Sequence, residues 1–161
     1  MVDLAGVSQA DVIVEFGPGT GSFTRRILEV KRPNAALVAV EFHPTMAAKL
    51  RHRFPQVDVA EDSVANLGQI LAERGLSKVD SIVSGLPWAA FDEDLRDQLL
   101  DATLSVLKPG GRFATFAYLE GSVLAGGRRF RRKIRRLFTE VHRSPVVWGN
   151  LPPAFVYQCI R

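Results

Sequence analysis

A single cysteine, Cys159, occurs in the 161-residue chain, which excludes an internal disulfide framework and leaves no repeated Cys or His spacing for structural zinc. Its setting in an apolar C-terminal run reads as a small buried hydrophobe. Any apolar run approaching about eighteen residues is also missing, as is a cationic N-region followed by an apolar stretch and a small-residue cleavage site. The expectation is a cytoplasmic protein that does not span a membrane. No internal repeat, low-complexity tract or long linker divides the sequence, and 47% apolar content suffices for one good core. Residues 1–161 are therefore expected to form one domain. Acidic residues are the minority, 17 against 21 Lys and Arg for a net charge of +4. That balance favours an anionic partner, nucleic acid or acidic lipid, without choosing between them.

Apolar runs of strand length alternate with segments of helical period, the pattern of a mainly parallel sheet with helices on both faces. The first strand is expected near residues 11–16, followed by a helix whose apolar stripe is Phe23, Ile27 and Val30. Pro33-Asn34 ends it before a second strand over 36–41. Pro44 suits the first turn of the next helix, and Pro55 closes it before a short strand at 57–60. A fourth strand is expected over 79–83, and Asp92 caps a helix running to about Leu107. Lys108-Pro109-Gly110-Gly111 should turn the chain into a fifth strand, Arg112 to Tyr118. Residues 141–147 and 155–160 read as a final hairpin-like pair, with Pro152 and Pro153 confined to a strand start or edge. The expected fold is a doubly wound, Rossmann-like α/β sheet of about seven strands with a terminal antiparallel strand.

The densest signal is Val12-Ile13-Val14 running into Glu15-Phe16-Gly17-Pro18-Gly19-Thr20-Gly21-Ser22. Glycines at alternate positions allow a tight turn and close approach of a ligand to the backbone. A dinucleotide fingerprint would place its third glycine where Ser22 stands, and here an acid precedes the first glycine by two. The pattern E-x-G-x-G-x-G resembles motif I of class I S-adenosylmethionine (SAM) methyltransferases. That resemblance implies that Glu15 and the backbone of Gly17, Pro18, Gly19, Thr20 and Gly21 hold the amino-acid end of SAM. Further contacts should follow strand ends. Glu41, with Phe42 beside it, can accept from both ribose hydroxyls or cap the following helix. Asp62, with Ser63 beside it, matches the family's acidic contact to the adenine amine or serves as an N-cap. Ser84 follows strand four.

Three segments together, Val14 to Gly21, Ser84-Gly85-Leu86-Pro87 and Asn150-Leu151-Pro152-Pro153-Ala154-Phe155-Val156-Tyr157, resemble the bacterial phospholipid N-methyltransferases. The resemblance implies methylation of the amine of phosphatidylethanolamine and its partly methylated forms, on the route to phosphatidylcholine. Members usually carry an N-terminal helical segment before the first strand, whereas only about ten residues precede it here, so a shortened core is expected. The acceptor amine must lose a proton and align with the methyl group. Backbone carbonyls around Ser84 and Gly85 can accept hydrogen bonds from it. Tyr118 can hydrogen-bond it or face a cation with its ring. Tyr157 and His43 are further candidates, each with an ordinary structural alternative, and Trp88 either walls an amine pocket or packs in the core. No residue pattern marks a general base or a metal site.

Between Arg128 and Phe138 the positions Phe130, Ile134 and Leu137 share one helix face. The rest of that surface is cationic: Arg128, Arg129, Arg131, Arg132, Lys133, Arg135 and Arg136. Such a helix can rest on an anionic bilayer, or it can pack its stripe on the sheet with solvated arginines, and RNA phosphate would satisfy the same charges. The reading favours peripheral association with the inner membrane face, a monomer and no nucleic acid. RNA adenine dimethyltransferases carry a related glycine loop, often with Asn-Leu-Pro-Tyr after strand four, where this chain has Gly85-Leu86-Pro87-Trp88. A non-catalytic SAM-binding module at a membrane surface is the remaining alternative.

Overall fold

A computed structural model describes residues 1–161. Seven strands form one sheet in the order β3-β2-β1-β4-β5-β7-β6. Four connections place β1 (Val12–Phe16), β2 (Ala36–Val40), β3 (Asp58–Ala60), β4 (Val79–Ser84) and β5 (Leu107–Tyr118) parallel to one another. The last two, β6 (Glu140–Arg143) and β7 (Ala154–Ile160), form the antiparallel pair, with β7 inserted between β5 and β6. Strand order reverses between β1 and β4, so the loops after both strands open a crevice at the carboxyl end of the sheet.

Helices α1 (Ser22–Val30) and α2 (Pro44–Arg53) cover one face, while α3 (Leu67–Ala72), α4 (Glu93–Val106) and α6 (Ala125–Leu137) cover the other. Local chemistry explains their limits. Pro44 opens α2, and the Asp92 carboxylate accepts from the Leu95 amide at 2.8 Å to cap α4. Central strands are apolar on both sides because both faces are covered. In β1 only Glu15 breaks that rule, and it is fully buried.

The structure departs from the sequence reading in four places. Strand β5 begins at Leu107, before the expected turn: Val79 pairs with Leu107 and Ser81 with Arg112, so the Pro-Gly-Gly segment bulges out of a continuous strand. A short helix α5 (Leu119–Val123) precedes α6. Strand β6 stops at Arg143; beyond it the Ser144 amide donates to Val156 O and Val147 bridges to Ala154. The apolar stripe of α6 belongs to the core: Phe130 and Ile134 are buried and Leu137 packs beside them, with Phe130 stacked on Trp88 at 5.4 Å. Extracting those side chains would forfeit about 1.5–3 kcal/mol each, so this face of α6 is not a bilayer-resting surface. The arginines on its other face stay exposed.

Candidate functional site

Glu15 sits one residue before the end of β1, between Ala39 and Val83 of its neighbours. Its Oε2 accepts from the Thr24 hydroxyl of α1 at 2.7 Å, while Oε1 is buried with no partner. Burial lifts the carboxyl to about 7, the Thr24 hydrogen bonds oppose this, and nearby Glu41 adds a smaller upward push. An orphaned carboxylate oxygen beside a glycine turn fits a cationic ligand group.

The turn is built for close approach. Gly17, Gly19 and Gly21 all have positive φ, at 59°, 54° and 83°. A Cβ on Gly17 would stand 2.8 Å from Leu86 Cδ2, and one on Gly85 would stand 2.7 Å from the Gly17 carbonyl oxygen. The loops after β1 and β4 thus meet backbone to backbone, joined by the Gly85 amide donating to Phe16 O at 2.8 Å. Pro18 is buried in the turn, and the exposed Thr20 offers its carbonyl to Arg53 at 2.5 Å.

Glu41 follows β2 and is 7% exposed. One carboxylate oxygen accepts from the Gly19 amide at 3.1 Å and the other from the His43 amide at 3.0 Å. Glu41 thus ties the glycine turn to the start of α2, and each oxygen keeps further acceptor capacity. Asp62 follows β3 and accepts through Oδ1 from the Ser63 amide at 2.6 Å and Asn66 Nδ2 at 2.8 Å. The cap of the next turn is Ser63, whose hydroxyl accepts from the Ala65 amide. Glu41, Asp62, Ser63 and Leu86 line a cleft with the exposed ring of Phe42 on its rim.

A second, mostly apolar cavity shares Pro87 with that cleft. Trp88, Phe116, Tyr118, Phe130 and Tyr157 supply its aromatic walls. Trp88 is both wall and core, since it is buried, stacks on Phe130 and meets Phe113 edge-on at 5.6 Å. Ser84 is fully buried, and its hydroxyl accepts from the Trp88 indole N–H at 2.9 Å and from the Leu86 amide at 3.4 Å. Its carbonyl accepts from the Thr115 hydroxyl at 3.2 Å. Tyr118 is half-exposed at the cavity mouth, edge-on to Phe116. Tyr157 is buried with no hydrogen bond to its hydroxyl, and burial pushes its pKa up. His43 stays exposed outside both cavities. No histidine or carboxylate lines the second cavity.

Three contributors escaped the sequence reading. Thr24 and Thr115 hold Glu15 and Ser84 across element boundaries, contacts that no spacing encodes. Arg96 is 2% exposed and reaches from α4 to the Gly126 carbonyl in the first turn of α6.

A family described as a methyltransferase domain matches residues 14–113. An ornithine lipid N-methyltransferase of Singulisphaera acidiphila is 36% identical over 153 residues, 93% of this chain and 76% of that protein. A dimethyladenosine transferase of Kluyveromyces lactis is 39% identical over only 88 residues, 55% of this chain and 26% of that protein. Among solved structures, an O-methyltransferase of Bacillus cereus with S-adenosylhomocysteine (SAH) superposes with a TM-score of 0.77 at 17% identity, covering 98% of this chain and 77% of that one. An O-methyltransferase of Streptomyces achromogenes with SAM gives 0.75 at 18% identity, covering 98% and 76%. At such identities these two speak for the fold alone.

Proposed function

The chain belongs to the class I SAM-dependent methyltransferases, and from that premise we propose that it methylates the primary amine of a membrane lipid headgroup. The aminoethyl group of phosphatidylethanolamine and the ornithine headgroup are substrates of the same chemistry, an amine carried near an anion. The observation that carries the reading is the aromatic cavity sharing the Pro87 wall with the cofactor cleft. Identity to a lipid N-methyltransferase over nearly the whole chain supports it.

When bound, SAM supplies an electrophilic methyl group. Glu15 and the glycine turn would hold its amino-acid end, Glu41 its ribose, and Asp62 with Ser63 its adenine. The acceptor cavity does the rest. Its apolar walls disfavour an ammonium and favour the free amine, because burial penalises the charged form. Aromatic faces of Trp88 and Tyr118 tolerate the cation that the product becomes. The Gly85 carbonyl, engaged by no backbone amide, would accept a hydrogen bond from the amine and so orient its lone pair. With no carboxylate or histidine in the cavity, the displaced proton leaves to solvent before transfer. Alignment, worth several kcal/mol, then carries the rate.

The test is labelled SAM incubated with the protein and vesicles of phosphatidylethanolamine, vesicles containing ornithine lipid, or structured RNA. Label in either lipid supports the reading and names the headgroup. Label in RNA would move the chain to adenine methylation, and SAH binding without transfer to any acceptor would make it a binding module.

A further inference from the structure

We infer that the carboxyl end of the sheet is a bilayer-docking face, in which two apolar connections enter the acyl boundary and the upper arginines of α6 meet anionic phosphates. Every exposed large apolar side chain lies at this end. Phe42, 75% exposed, follows β2, and Leu95 lies in the first turn of α4. Tyr118 ends β5, and Val123 and Leu124 stand exposed at the α5–α6 junction. Val147, Trp148 at 70% and Leu151 at 91% exposure project from the β6–β7 connection. That connection is at the same end because Ala154 pairs with Tyr118, the last residue of β5, and the Leu119 amide donates to Pro153 O. The opposite end shows none and instead carries ion pairs, Arg32–Asp11 at 2.8 Å and Lys108–Asp80 at 2.6 Å. Scattered single apolar residues would need no explanation, but eight confined to one end of a sheet do.

Charge identifies the occupant. Helix α6 starts at this end and descends along the sheet to β6, with Phe130 and Ile134 anchoring it in the core. It therefore stands beside the docking face instead of lying in the membrane plane. Of its cations only Lys133 has a carboxylate, Asp97 at 2.8 Å. The arginines are unpaired, and at a rise of about 1.5 Å per residue Arg136 lies about 12 Å below Arg128. Arg128 also donates to Val123 O at 2.6 Å, so cation and apolar tip form one unit. Aliphatic tips, an exposed indole and a collar of arginines match the layers of an anionic bilayer from acyl chain to phosphate. The cavity mouth, marked by Tyr118, opens on this face. The inference deepens the lipid reading and rests on it for why the mouth faces the bilayer.

Tryptophan emission tests it, because Trp88 is buried and Trp148 exposed. Vesicles of phosphatidylethanolamine and phosphatidylglycerol should shift Trp148 emission to the blue, while vesicles of phosphatidylcholine alone should not. Trp148→Ala with Leu151→Ala should weaken vesicle partition about tenfold or more, with SAH binding and circular dichroism unchanged. Arg128→Glu with Arg129→Glu should weaken partition far more than Arg135→Glu with Arg136→Glu. No shift, equal effects of the two arginine pairs, or a shift produced by RNA or by self-association without vesicles would overturn the proposal. Methylation of detergent-dispersed lipid amine without vesicle binding would sink this inference and leave the substrate reading standing. Vesicle binding with no lipid labelled would do the reverse.

Discussion

Replacing Glu15 by glutamine removes one titratable proton and almost no volume, and glutamine can still accept from the Thr24 hydroxyl that now reaches the carboxylate at 2.7 Å. Burial lifts the native carboxyl from 4.5 to about 7. The native state thus holds the proton more tightly than the unfolded chain. In the ligand-free protein, stability attributable to this group is greatest below about pH 4.5 and is lost as pH rises through 7. The change between pH 5 and pH 8 is then on the order of 2–3 kcal/mol. For a chain of this size that is about 5–10 °C in Tm.

Glu15→Gln should therefore be more stable than the unaltered chain at pH 8 and nearly equal to it at pH 5. The measurement is the difference in Tm between the two proteins at each pH. Other titrating groups, such as Asp80, whose carboxyl is lowered by hydrogen bonds from Lys108 and the Val12 and Asp11 amides against the pull of burial, act alike in both and cancel. Function should move the opposite way. A carboxylate kept partly protonated in the empty site is ready to pair with a cationic ligand group, so Glu15→Gln should bind SAH weakly. Binding to the unaltered chain near pH 6 should release a proton, seen as heat that varies with the buffer's ionisation enthalpy. Parallel Tm profiles for the two proteins, or full SAH affinity in the variant, would refute the assignment.

Gly85→Ala should abolish SAH binding and destabilise the chain by about 1–3 kcal/mol, read by calorimetry and denaturant titration, since its Cβ meets the Gly17 carbonyl oxygen at 2.7 Å. Ser84→Ala leaves the buried Trp88 indole N–H without its acceptor; the expected cost is about 1–3 kcal/mol, with KM for lipid amine raised and SAH affinity little changed. Tyr118→Phe keeps the ring and removes the hydroxyl, so methyl transfer to lipid amine should slow if the hydroxyl touches the amine. Unaltered kcat and KM would restrict Tyr118 to its ring.

The parallel core was legible in the sequence because Pro44, Asp92 and the glycine turn each act locally, within one or two turns of the residues they organise. Strand β5 was not. Lys108-Pro109-Gly110-Gly111 serves equally as a turn or a bulge, and only pairing with β4 selects the bulge. The α6 stripe was ambiguous for a similar reason: Phe130, Ile134 and Leu137 suit a bilayer or a core, and Trp88, in the turn after β4 and edge-on to Phe113 of β5, decides for the core. At the site, residues at strand ends could be listed from spacing, but their partners could not. Spacing places Ser84 at the end of β4 but does not show that its hydroxyl accepts from the Trp88 indole N–H. Contacts such as Thr24 to Glu15 join elements whose relative placement no local pattern encodes.

The net charge of +4 conceals a division that matters more than the sum. Around the cofactor cleft the charged side chains are acids, Glu15 fully buried, Glu41 7% exposed and Asp62 partly buried. Beyond the shared Pro87 wall, the exposed flank of α6 is all cationic. On the proposed reading, a cationic methyl donor and an anionic lipid surface would be drawn to opposite sides of one wall. Salt should separate the two. Exposed arginines are screened over about 10 Å at 0.1 M and about 3 Å at 1 M ionic strength, while buried carboxylates are screened far less. Raising salt from 0.05 to about 0.5 M should therefore cut vesicle partition by roughly tenfold or more and alter SAH affinity by less than about twofold. If SAH binding fell in step with vesicle binding, the acids would be acting from solvent, and the cleft would not be the buried electrostatic site that Glu15 and Glu41 define.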